Sequence, residues 1–372
     1  MSRPFAGRGG AALRTSSAPS LALAALLLAT GGTAAAQSPQ PEPDVVDAEQ
    51  HEARGVRLKA AIDAGHDWLK AHQEADGRFS ASMFVVHDPR GKPCDGPGKP
   101  DQDVFVTALV VKSWNGMAWL PDAGGDNGEG THPHVVKATE WLFAQVQEDG
   151  SVGLPNASTL VRDTGAAGEV LHWACIYHGG WKGRWQPRKT IEWLKQQALD
   201  RGRWPAQPGS RSPDWAADTL VTSCLQVLGG VGGGVEGNGP FAAGGALRRC
   251  TPAELGGAAY VFTWAVRNQE LRAEACRQAL QHLPKVHTRA DAVDYFGWYC
   301  ATQGMQFEPA EAWRTWWHAL VDVALRMQRT DGSFAGSWDP LDVRGREGGR
   351  VYATACMLLA LEVAWRKEYR DR

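Results

Sequence analysis

Apolar positions along the chain follow two alternating patterns. In the first, Leu58, Ala61, Ile62, Gly65, Leu69 and His72 recur at helical spacing and make a single apolar stripe. Trp313, Trp316, Trp317, Leu320, Ala324 and Met327 repeat that stripe near the C-terminus. Segments of this amphipathic kind are predicted at about 57–73, 134–147, 187–198, 241–250, 270–283 and 309–328. The second pattern is apolar on almost every side: Val104–Leu120, Ala166–Tyr177, Ala216–Leu228, Ala253–Val266, Ala292–Met305 and Val351–Trp365. A helix of that kind is buried all round. Alternation of the two patterns predicts amphipathic outer helices around apolar inner ones. Closing such a double layer into a ring removes the need for capping repeats. The expected fold is all-α, an α/α toroid of about six outer and six inner helices.

The chain also repeats its own punctuation. Trp68-Leu69 is followed at +9 by Gly77 and at +11 by Phe79. Trp141-Leu142 leads in the same way to Gly150 and Val152, and Trp193-Leu194 to Gly202 and Trp204. Val323-Ala324 leads to Gly332 and Phe334. A fixed offset marks a repeat architecture. Each glycine is expected to end its helix in the left-handed conformation, with the following aromatic packing back on the helix end.

The N-terminus follows neither pattern. Arg3, Arg8 and Arg14 precede the apolar run Leu21–Leu28, and Thr33-Ala34-Ala35-Ala36 offers small residues for cleavage. Residues 1–36 therefore read as a secretory signal peptide, which implies a secreted or periplasmic protein with no stable membrane anchor after cleavage. Residues 37–56 are proline-rich and acidic and read as a flexible leader, leaving 57–372 for the repeat domain. The whole chain carries 39 basic and 41 acidic side chains and no basic run, which argues against nucleic acid as a partner. Seven cysteines form no Cys-x-x-Cys pair; most sit in apolar helical segments as small core residues, while Cys94 and Cys250 lie in loop-like sequence and are open to pairing.

At these residues the chain resembles the terpenoid cyclase/protein prenyltransferase superfamily. Residues 64–79, with Gln73, Gly77 and Phe79, are similar to the repeat of squalene cyclases in which Gln precedes Gly-x-Trp. Residues 322–334 keep Gln328, Gly332 and Phe334, and residues 349–362 resemble the closing inner helix of secreted bacterial proteins with prenyltransferase/squalene oxidase repeats. The resemblance covers about residues 57–366 and implies the α/α-toroid fold; fold alone does not imply function. The superfamily's chemistry is missing from the sequence. The Asp-x-Asp-Asp tetrad of protonating cyclases has only Asp101-Gln102-Asp103-Val104 as a counterpart. The prenyltransferase zinc set of Asp-x-Cys with a distant His is absent, as is the Cys-Gly-Glu-Gln thioester.

Several residues remain as candidates. Asp103, Asp163, Asp214 and Asp291 stand just before inner helices, where a helix N-cap is the plainer reading than a general acid. Asp218 and Asp294 are expected one turn into apolar helices, where a carboxylate is costly; they are the candidate catalytic acids, set against a structural role. Trp173, Tyr177, Tyr260, Trp264, Tyr295, Trp298, Tyr299 and Tyr352 lie on inner helices. They would line a ligand cavity or fill the space between layers. His132-Pro133-His134, His172 with His178, and the acidic loop Asp122–Glu129 lack the spacing of a metal site, so neither metal nor cofactor is expected. The glycine-rich stretch Gly229–Gly245 contains a Gly-x-Gly-x-x-Gly string with no strand before it, and reads as a rim loop rather than a dinucleotide site.

The sequence thus favours an exported, non-catalytic toroid that binds an apolar ligand or a protein partner. An enzyme acting on an isoprenoid or other apolar substrate in an aromatic cavity is the alternative. A glycan-processing enzyme is a weaker one, since it needs two carboxylates across a cleft.

Overall fold

A computed structural model describes residues 45–89, 92–118, 133–177, 181, 183–229, 247, 250–264, 267–284 and 293–370. The signal segment, the acidic loop 122–129, Asp291 and most of Gly229–Gly245 lie outside the described residues. One compact unit spans Ala48–Arg372. The helices are α1 (Val45–Ala71), α2 (Asp103–Ala118), α3 (Pro133–Ala144), α4 (Leu160–Tyr177), α5 (Pro187–Gln196), α6 (Trp215–Val227), α7 (Pro252–Trp264), α8 (Gln269–Ala279), α9 (Tyr295–Met305), α10 (Ala310–Met327) and α11 (Gly345–Trp365). Among the described residues there are isolated β-bridges but no strand. No described helix is long and apolar enough to cross a membrane.

The six inner helices pack in the cyclic order α2, α4, α6, α7, α9, α11 and back to α2. The fold is an α/α toroid. Outer helices α3, α5, α8 and α10 pack against their inner neighbours, and α1 lies over α11 where Gly65 meets Leu358. The outer helix expected at 241–250 falls mostly outside the described residues. Helix α1 begins at Val45, so residues 45–56, expected to be flexible leader, are helical. Their order is set late in the chain: His51 stacks on Tyr369 at 4.5 Å, and the Tyr369 hydroxyl donates to the His51 carbonyl.

Small residues set the spacing of the inner ring. A methyl at Gly165 would lie 2.9 Å from the Val221 backbone, and one at Gly256 would lie 2.4 Å from the Gly297 carbonyl. The apolar faces of α4 and α6, and of α7 and α9, therefore meet backbone to backbone. Helix α11 is buried on every side, as its composition requires.

The repeat has a hydrogen-bonded signature that corrects two expectations. The Phe79 backbone N–H donates to Thr107 Oγ1 and that of Val152 to Thr164 Oγ1, both at 3.0 Å. The Trp204 N–H donates to Asp218 Oδ1 at 2.7 Å, and the Trp338 N–H donates to Thr354 Oγ1 at 3.3 Å. In the last unit the equivalent residues are thus Gly336 and Trp338, not Gly332 and Phe334. Trp338 is fully buried while Phe334 is only half-buried. Nor do the glycines cap their helices: α1 ends at Ala71, well before Gly77. Gly77, Gly150 and Gly336 all have positive φ, and each lies under the next unit's outer helix. A Cβ there would sit 2.4 Å from Lys137 O, 2.4 Å from Lys189 C and 2.2 Å from Ala64 O respectively.

Candidate functional site

The inner helices begin at one end of the ring, and there their first turns gather charge. Asp214 caps α6, accepting the Ala217 N–H at 2.8 Å. Asp294 caps α9, accepting the Gly297 N–H at 2.8 Å, rather than lying one turn inside it. The helix starts later than its apolar run because the carboxylate satisfies the first free N–H groups. The segment leading into α11 supplies Asp342 and Arg344. Asp342 accepts the N–H groups of Gly345 and Tyr295 and the Tyr352 hydroxyl. Arg344 pairs with Asp214 at 3.3 Å and lies over the Trp215 ring at 4.3 Å.

A cleft of about 810 Å³ opens over this cluster. Trp215, Trp298 and Trp316 wall it, with Leu283, Val293 and Ala301 between them and Glu254, His282, Asp294, Asp342 and Arg344 as its polar lining. Burial, reinforced by the Asp294 charge, pushes Asp342 up to about 7. Burial raises Asp294 as well, against the attraction of Arg344. The Arg344 charge pulls Asp214 down despite its burial.

Below the mouth the ring axis is filled. Phe105 packs against Phe296 and Tyr352, Phe296 against Tyr299, and Tyr299 against Tyr260, with centroids 5.8–6.4 Å apart. Deeper still, Lys112 Nζ contacts Glu169 Oε2 at 3.0 Å, and the Ser223 hydroxyl donates to the same oxygen at 3.0 Å. Burial opposes the charge on Lys112, but Glu169 outweighs it and holds the ammonium above its ordinary value.

The candidate acids are not equivalent. Asp294 lines the cleft and Asp218 does not. Asp218 is fully buried and receives Arg203 Nε at 2.5 Å together with the Trp204 N–H. It occupies the position that Thr107, Thr164 and Thr354 hold in other units, and burial pushes it up to about 7 against the pull of Arg203. Asp163 lies inside α4 rather than before it, fully buried and pushed up to about 8. Asp103 is the first residue of α2 and accepts the Ala81 N–H at 2.8 Å.

Among the predicted cavity aromatics whose side chains are described, Trp298 alone lines the cleft. Tyr260, Tyr295 and Tyr352 are buried in the core, with the Tyr295 hydroxyl bonded to the Asp339 carbonyl. Trp264 is 44% exposed on the outside, against Phe307. Trp173 is half-buried beside His172, and the Tyr177 side chain lies outside the described residues. Cys94 is a free thiol, so it does not pair with Cys250. Sequence reasoning missed Asp342, Arg344, Lys112 and Glu169. For the last two, a charge inside an otherwise apolar helix was the available signal.

No protein-family model matches the chain, and no curated protein is similar to it. Solved structures are. The type II terpene cyclase MstE from Scytonema aligns over 84% of this chain and 99% of its own, with a TM-score of 0.50 and 15% identity. A variant of that enzyme in complex with its substrate, geranylgeranyl dihydroxybenzoate, aligns over 85% and 99% with a TM-score of 0.52 and 15% identity. At that identity the likeness speaks to architecture, and it agrees with the closed double ring: this chain has the α/α-toroid fold of the terpenoid cyclases.

Proposed function

We propose that this chain is an exported toroid that binds an apolar, isoprenoid-like ligand in the cleft at the N-terminal mouth of its inner ring, without cyclising it. The observation that carries this reading is the cleft itself: about 810 Å³ walled by three indoles, with a polar edge at Asp294 and Arg344. That size and lining suit an apolar ligand with one polar end. The structurally similar cyclase holds a geranylgeranyl compound, which favours an isoprenoid over other apolar ligands. Absence of proton chemistry is supported by the state of the acids. Protonating an alkene needs a carboxyl whose O–H is free to reach the substrate, whereas three donors, from Gly345, Tyr295 and Tyr352, occupy both oxygens of Asp342. Asp294 is engaged as a helix cap.

Native mass spectrometry of the mature, exported chain, with organic extraction, tests the reading. The expected result is a discrete apolar mass near one per chain, lost in Trp298→Ala. Export predicts a chain that begins at Gln37. A clean apo mass together with no fluorescence response to geranylgeraniol would overturn ligand binding. Turnover of a prenyl substrate that disappears in Asp294→Asn at unchanged thermal stability would overturn the non-catalytic part.

A further inference from the structure

Outside the cleft, three unlike donor groups converge where the first and last units of the ring meet. His72, near the end of α1, and Asp88 and Cys94, in the segment that follows, place Nε2, a carboxylate oxygen and Sγ within 4.8 Å of one another. Nε2 lies 3.0 Å from Asp88 Oδ1, and Cys94 Sγ lies 3.4 Å from the same oxygen. All three side chains are buried.

The hydrogen bonding of His72 makes this arrangement informative. Its Nδ1 lies 2.7 Å from the Trp68 carbonyl, which can only accept, so Nδ1 carries the proton. In the neutral ring Nε2 is then a bare lone pair, and it faces a carboxylate, another acceptor. Either a second proton on Nε2 or a metal cation must therefore bridge them. Histidine ligands of metals are held in this way, with the far N–H tied to a carbonyl and the near nitrogen turned to the cation. Stacking on Trp68 at 4.1 Å fixes the ring plane.

We propose that His72, Asp88 and Cys94 form a structural zinc(II) site that clasps the ring at its seam. Imidazole nitrogen, carboxylate oxygen and thiolate sulfur are the donor classes zinc takes, and bonds of about 2.0–2.3 Å place such ligands roughly 3–4 Å apart. Three protein ligands leave one coordination position to water. Metal binding releases the Cys94 thiol proton. These residues lie past the end of an outer helix, not on inner helices where the superfamily's zinc set is expected. The same residues reach the last unit: Cys94 Sγ lies 3.0 Å from the Ser333 carbonyl, and Trp68 Nε1 donates to that carbonyl at 2.9 Å.

The test uses the mature chain. Elemental analysis after purification should give about one zinc per chain, falling at least tenfold in Cys94→Ser. Cobalt(II) added to the chelator-treated chain should bind one equivalent with a thiolate-to-cobalt charge-transfer band. X-ray absorption at the zinc edge of the unmutated chain should show one sulfur in the first shell, a readout independent of whether any variant folds. A chain that takes up no stoichiometric zinc or cobalt, or a first shell of nitrogen and oxygen alone, would overturn the proposal and leave an imidazolium–carboxylate pair in its place.

Discussion

The side-chain amide of Gln328 donates to the carbonyl of Ala61 at 2.8 Å, joining residues 267 positions apart. It also donates to the Gly336 carbonyl at 2.9 Å, so one amide holds the last turn and the first helix together. Gln73 does the same one unit on, bonding the carbonyls of Gly77 and His134. Gln328→Ala should therefore cost about 1–3 kcal/mol, the range for removing a buried partner from two carbonyls. The midpoint of urea unfolding checks this. A change no larger than that of an exposed substitution would mean the seam does not depend on Gln328.

The two glycines of the last turn should respond to different extents. Gly336→Ala places a methyl 2.2 Å from the Ala64 carbonyl at positive φ, and should cost about 3 kcal/mol or more. Gly332→Ala meets nothing within 4 Å and carries only the left-handed backbone penalty, about 1–2 kcal/mol. Thermal unfolding of both variants decides the register of the repeat.

Much of the architecture was legible because helices buried all round leave no polar face, a signal that survives without knowing their neighbours. The last unit was misread because Asp331-Gly332-Ser333-Phe334 copies the local string of the other turns, while the backbone uses Gly336 and Trp338 four residues on. Contacts made outside the turn, Gly336 with Ala64 and Trp338 with Thr354, distinguish them. Asp294 was placed inside a helix because its flanks are apolar, and capping moved the boundary. The mouth of the ring was not legible: Asp342 and Arg344 sit in a connection that no periodicity covers. His72 was absorbed into an apolar stripe, which its buried ring does join, and that hid its contact with Asp88 and Cys94.

The buried pair on the ring axis makes a double-mutant prediction. Lys112→Met leaves the Glu169 carboxylate buried without its cation and should cost about 3–5 kcal/mol. Lys112→Met with Glu169→Met should recover most of that loss, because a matched apolar pair needs no desolvation of charge. Denaturant midpoints of the two singles and the double measure the coupling. Additive losses would show that the two side chains act independently.

Stability should fall as pH rises. Asp163, Asp218 and Asp342 are raised to about 8, 7 and 7 in the folded chain, mainly by burial. Between the ordinary carboxylate range and those values the native state holds more protons than the unfolded one, so raising pH favours unfolding, by up to about 1.4 kcal/mol per pH unit for each group. Melting temperature should thus be higher near pH 5 than near pH 8. Asp163→Asn should raise it at pH 8 and leave it nearly unchanged at pH 5. An equal effect at both would remove Asp163 from the account.

The seam of the ring also constrains how the molecule is made. Helix α11 packs between α2 and α9 and under α1, so the earliest and middle helices share a partner that is synthesised after all of them. No growing chain can shut the circle before residue 345 has left the ribosome. Until then the flanks of α1 and α2 that face α11 stand uncovered. Closure is therefore a single late event, and a polypeptide interrupted before that point leaves exposed the flanks that α11 covers.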